Sequence, residues 1–208
     1  MMRSRFLSGS GAAGPARLRS TTGPFRWIAR PRPARIGGET PRMMEYSDIV
    51  KEIIEHAPKP DLGEGGMNPE GLAVLESVGS EDLFPDCVVN DHDMAFCCLS
   101  GLFLLHDELD QSHKLSQQVK TPSGSFWHGI MHRREGDYSN AKYWFRNAGD
   151  HPVFQQLKEA FGEDYGDPFT FVDKVEQARG PGRPNAERCL EIQQREWQFL
   201  FDYCYARA

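Results

Sequence analysis

A chain of 208 residues with 39 % hydrophobic and 26 % charged side chains has the composition of an ordinary globular domain, neither a disordered chain nor a membrane one. Its formal charge of −6 averages two unlike parts: residues 1–42 hold nine arginines, no lysine and one acid, a net of +8, whereas the other 166 residues carry −14. The positive charge thus lies outside the foldable part, which argues against a nucleic-acid binder, and no apolar run approaches the roughly 18 residues of a membrane span.

Residues 1–42 are rich in Arg, Ala, Gly and Pro, and their few large apolar residues, such as Phe6, Phe25, Trp27 and Ile28, follow no helical or strand period. Such a composition predicts a disordered basic segment, because it buries too little surface to offset the entropy of ordering. Two origins fit it. One is translation upstream of a start at Met43 or Met44, which goes with a cytoplasmic protein. The other is a transit peptide, rich in Arg and poor in acids, which goes with a mitochondrial one. A secretory signal is disfavoured, since no apolar stretch follows the arginines.

From residue 43 onward the apolar periodicity is helical. Ile49, Val50, Ile53 and Ile54 mark a helix over 44–57 that Pro58 ends, and a Pro- and Gly-rich loop follows. Asn68 and Pro69 open a short helix carrying Leu72, Leu75 and Val78. The longest predicted helix spans 92–118. Thr121-Pro122 starts the next, to about Arg134; Gly136 breaks it, and further helices run over 138–148 and 153–161. Asp167-Pro168 opens a helix to about Ala178, and residues 186–205 close the chain with another. No segment reads as a strand. The expectation is an all-α fold, a single compact bundle of seven or eight helices over 43–208. The five cysteines, two of them adjacent at Cys97 and Cys98, suit buried thiols better than a disulfide frame.

Residues 126–152 read FWHGIMHRREGDYSNAKYWFRNAGDHP, and the spacing of Gly129, Gly136, Asp137, Tyr138, Ala141, Phe145, Ala148 and Pro152 resembles one tetratricopeptide repeat. That resemblance implies two antiparallel helices packed closely at Gly129 and Ala141. It covers a single hairpin with no second copy, so a peptide-binding array does not follow. The wider segment from His106-Asp-Glu-Leu-Asp through HGIMHRREGDYSNAKYWFR to Arg195-Glu196-Trp197 of the last predicted helix is also similar to a family of uncharacterised bacterial proteins, a resemblance that implies no activity.

The hairpin departs from the repeat pattern at His128 and His132, which take positions normally given to a leucine and an aromatic. Four apart, they project from one helix face. On the predicted long helix, His106 and His113 share a stripe with Leu99, Leu102 and Leu109, differing by only about 20° around the axis. Helical bundles build metal sites from such inward groups, so His106, Asp110, His113, His128 and His132 are candidate ligands for zinc or iron, with Asp107, Glu108 and Glu135 as acceptors that orient the rings. The competing reading makes the same histidines solvated, or core residues satisfying a neighbour's backbone. Beside them Arg133, Arg134, Lys142 and Arg146, with the hydroxyls of Tyr138 and Tyr143, form a candidate site for a small anionic ligand. Here the competing reading pairs the cations with Glu135, Asp137 and Asp150 on the surface. No nucleophile elbow, phosphate-cradling loop or dinucleotide fingerprint is present. Two functions follow: a histidine-lined pocket for a small anion or a metal, catalytic or not, or a non-enzymatic interaction module using the hairpin to meet a protein partner.

Overall fold

The computed structural model describes residues 45–180 and 182–208, so the expectation for residues 1–42 lies outside the described part. Among the described residues the chain is all-helical, with α1 (Asp48–Glu55), α2 (Pro69–Glu76), α3 (His92–Leu105), α4 (Leu109–Ser116), α5 (Pro122–Glu135), α6 (Tyr138–Ala148), α7 (Pro152–Phe161), α8 (Pro168–Ala178) and α9 (Ala186–Tyr205). No helix among them is long and apolar enough to cross a membrane. The helix starts are where capping chemistry puts them. Asn68 before Pro69, Thr121 before Pro122 and Asp167 before Pro168 each accept a backbone N–H of the first turn, and the proline occupies a position whose missing N–H costs nothing.

One predicted element is two. The helix expected over 92–118 ends at Leu105 and restarts at Leu109, which is why the described residues hold nine α-helices rather than seven or eight. No Gly or Pro marks the break. Asp107 adopts a left-handed backbone conformation with φ of 67°, one that Asp tolerates better than most residues. Its carboxylate accepts the backbone N–H of Gly65 and pairs with the guanidinium of Arg134. Arg134 is buried and also donates from Nε to the Gly63 carbonyl at 2.7 Å. A tertiary ion pair thus sets the break, and α4 turns away from the α3 axis. The buried pair Ser100 and Ser112, hydroxyl to hydroxyl at 3.0 Å, then holds α4 against α3.

Helix α5 is enclosed by α3, α4 and α6 along its length, although its sequence is rich in polar residues; every residue from Ser123 to Arg134 is buried. A buried polar group needs a partner, and several polar side chains of α5 find theirs on other elements. Ser123 meets His151 Nε2 at 3.1 Å, and His151 in turn caps α7 through Nδ1. Arg133 pairs with the fully buried Glu196 of α9, and its guanidinium lies 4.8 Å from the centre of the Phe171 ring. Apolar contacts do the rest: Trp127 packs on Gly101 of α3, and Trp197 stacks on Phe201 within α9 at 4.9 Å.

Helices α5 and α6 form an antiparallel hairpin. Gly136, at φ of 92°, ends α5 in a conformation that favours glycine. A Cβ on Gly129 would lie 2.9 Å from the Phe145 ring, so the absence of a side chain there permits the close approach. In this register residue 132 faces residue 140, and 128 faces 144.

Replacing Asp107 by Ala leaves Arg134 buried and charged without its carboxylate, so urea unfolding should show a loss of about 3–5 kcal/mol. A loss under about 1 kcal/mol would mean that the pair is not what holds the break.

Candidate metal centre

The break at Asp107 decides which histidines meet. His106, at the end of α3, turns toward α1: its Nε2–H donates to the Ile53 carbonyl at 2.8 Å, and its ring lies over Gly71 of α2. It is buried and separate from the other three, so the expected stripe joining His106 to His113 does not form. Asp110, in the first turn of α4, is exposed and also stands apart. The other three converge. His113 from α4 and His128 and His132 from successive turns of α5 each offer a ring nitrogen, and these atoms lie within 4.8 Å of one another. Ring centres are 4.7 Å apart for His113 and His128, 4.7 Å for His128 and His132, and 5.3 Å for His113 and His132. His128 and His132 are buried and His113 is half-buried, so solvent reaches the cluster from the α4 side.

The surroundings orient the rings. Glu135, one turn after His132, accepts from its Nδ1 at 2.9 Å, which leaves the Nε2 lone pair as the donor atom. Of the three acceptors expected from the sequence, Glu135 plays that part. Asp107 is committed to Arg134, and Glu108 caps the start of α4 without a side-chain bond. From α6, Asn140 donates through Nδ2 to His132 Nε2 at 3.1 Å, and Trp144 stacks on His128 with ring centres 4.0 Å apart. Sequence reading passed over these two. The signal for them is the hairpin register about Gly136, which sets Asn140 against His132 and Trp144 against His128.

Electrostatically the two buried rings of the cluster are held neutral. Burial, reinforced by the neighbouring His132 and His113, pushes His128 down to about 3. Burial also lowers His132, against the opposing pull of Glu135. The two buried imidazoles thus offer nitrogen lone pairs beside His113, and Nδ1 of His128 is buried with no hydrogen-bond partner. Around a tetrahedral ion with Zn–N bonds of about 2.0–2.1 Å, ligand nitrogens sit about 3.3 Å apart. Side-chain rotations of about an ångström would bring the three nitrogens to that spacing.

The cations of the hairpin do not converge. Arg133 and Arg134 are internal, spent on Glu196 and Asp107. Lys142 pairs with Asp173 of α8, and Arg146 lies 5.9 Å from the Phe169 ring centre. Tyr143 is exposed, its ring edge-on to Trp144. Tyr138, Lys142 and Arg146 do border a depression of about 830 Å³ open to solvent, but Asp137 and Glu176 share it and offset their charge. Arg133, Arg134 and Lys142 form their ion pairs with Glu196, Asp107 and Asp173, far along the chain, not with the neighbouring carboxylates of the competing reading. No protein family, curated protein or solved structure matches this chain. The chemistry of the site therefore rests on its geometry.

Without metal, folding stability should fall as pH drops from about 6.5 toward 4. Unfolded histidines take up protons near their ordinary 6.5, whereas folded His128 and His151 resist until about 3 and about 4, so the unfolded chain binds more protons in that window. Urea unfolding at about pH 7 and about pH 4.5 should differ by on the order of 5 kcal/mol, and His151→Gln should remove about half of the dependence. A pH-independent midpoint would contradict buried, neutral imidazoles.

Proposed function

We propose that this protein is a small helical metal-binding protein whose centre is His113, His128 and His132, taking a borderline divalent ion of the zinc or iron(II) class. The observation that carries this reading is the convergence of three nitrogen ligand atoms within 4.8 Å from two helices. Two further features support it. Glu135 on His132 Nδ1 is the carboxylate–imidazole arrangement that fixes tautomer and ring direction in metal sites. The ligands are imidazoles with no thiolate among them, a donor set suited to zinc, iron, copper and nickel rather than to calcium or magnesium.

Three protein ligands are the pattern of centres that keep a position for water or a small anion, and the half-buried His113 side is where such a ligand would enter. The anion of this reading meets the metal, not the arginines. The second reading, an interaction module built on the hairpin, has less to draw on: of the large apolar residues exposed among the described residues, Tyr143 alone lies on the hairpin.

The full chain, purified without a histidine tag, should bind about one equivalent of Zn²⁺ in calorimetry. His113→Ala removes a half-buried ligand at small cost to the fold and should weaken binding at least tenfold, and Glu135→Gln should weaken it about 10–100-fold while circular dichroism stays unchanged. Equal binding by the wild type and His113→Ala would refute the centre.

A further inference from the structure

We propose that Asn140 is the fourth ligand of this centre, entering by a half-turn of its side-chain amide. The inference rests on the metal reading above and goes beyond it, since nothing in the imidazole geometry alone requires a residue from α6. In the structure both nitrogens of His132 are engaged: Nδ1–H donates to Glu135 at 2.9 Å, and Nε2 accepts from Asn140 Nδ2 at 3.1 Å. An ion can use His132 only by displacing that N–H from the Nε2 lone pair. The smallest motion that does so turns the amide about its last torsion, which is broad and roughly two-fold.

That turn exchanges the amide nitrogen and oxygen. Oδ1 then stands where Nδ2 is now, 3.1 Å from His132 Nε2. The spacing is close to the roughly 3.3 Å that separates two ligands of one tetrahedral zinc-class ion. The ion takes the place of the displaced N–H on the Nε2 lone pair, so the amide oxygen reaches the neighbouring vertex by a sideways shift of about 2 Å at an almost unchanged distance from Nε2. Without an ion its nitrogen end faces that lone pair, held so by the hydrogen bond. The α6 helix fixes this position: Asp137 caps it by accepting the Asn140 backbone N–H at 3.1 Å, and Trp144, one turn on, stacks against His128. Asp137 is not the better candidate, because its carboxylate also takes the Ser139 hydroxyl at 3.0 Å and lies on the exposed rim.

The resulting donor set is three imidazole nitrogens and one neutral amide oxygen. The oxygen is the weakest donor of the four, so water or a small anion would enter the coordination sphere by displacing it.

Cobalt(II) titration of the tag-free full chain tests this, because the intensity of its visible absorption reports four-coordination and its titration midpoint reports affinity. Wild type should give the intense band of a four-coordinate ion. Asn140→Ala, a good helix former at an exposed turn, should still bind one equivalent but about tenfold more weakly and with a much weaker band, as waters replace the amide. Asn140→Asp should restore the intense band and bind at least as tightly as wild type. If Asn140→Ala binds as tightly or more tightly with an unchanged spectrum, Asn140 merely obstructs the lone pair and the proposal is wrong, while loss of binding in His113→Ala would leave the three-histidine centre standing. If wild type takes up no cobalt, both fail together.

Discussion

The buried pair between Asp107 and Arg134 is the constraint on which the rest of the arrangement hangs. A charged guanidinium inside a helical bundle is stable only with its partner in place, because removing two ions from water is repaid only by close pairing and filled hydrogen bonds. Meeting that condition forces Asp107 into a left-handed turn, ends α3 at Leu105 although its apolar pattern runs on to 118, and swings α4 onto the flank of α5. The same carboxylate reaches Gly65, so the loop after α1 is drawn to the same point. One ion pair therefore sends His106 toward α1 and His113 toward His128.

Helix α5 shows how polar residues can specify packing as well as apolar ones. Its successive polar side chains each address a different neighbour: Ser123 to His151 before α7, His128 to Trp144 of α6, His132 to Glu135 and Asn140, Arg133 to α9, Arg134 to the α3–α4 break. A misplaced neighbour would leave at least one of these groups buried and unpaired, a cost of several kcal/mol for an arginine. The histidine cluster sits in the middle of this sequence. Its rings are thus held from both ends of the helix, by the arginines at one side and by Trp127 packed on Gly101 at the other.

Much of this was legible in the residues. The cap-plus-proline pairs at 68–69, 121–122 and 167–168 and the stop at Gly136 are local signals, and the structure follows them. Two imidazoles four apart on a helix face that should be apolar pointed to His128 and His132. What was not legible is what tertiary contacts decide. Leu105-His-Asp-Glu-Leu109 contains no residue that breaks a helix by itself, and only Arg134 and Gly65 make the break favourable, so the relation of His106 to His113 was misread. The sequence leaves Arg133 and Arg134 open between an anion site and surface ion pairs, because nothing nearby in sequence reveals Glu196 or Asp107 as their partners. Asn140 and Trp144 needed the antiparallel register, which follows from Gly136 once the hairpin is accepted.

X-ray absorption spectroscopy of the zinc-loaded full chain tests the central claim most directly, because it counts imidazoles by their multiple scattering and measures bond lengths at the ion. The account requires three histidine nitrogens at about 2.0–2.1 Å, with any further light donor an oxygen. A sphere with one histidine or none, or with sulfur from the buried cysteines, would contradict it.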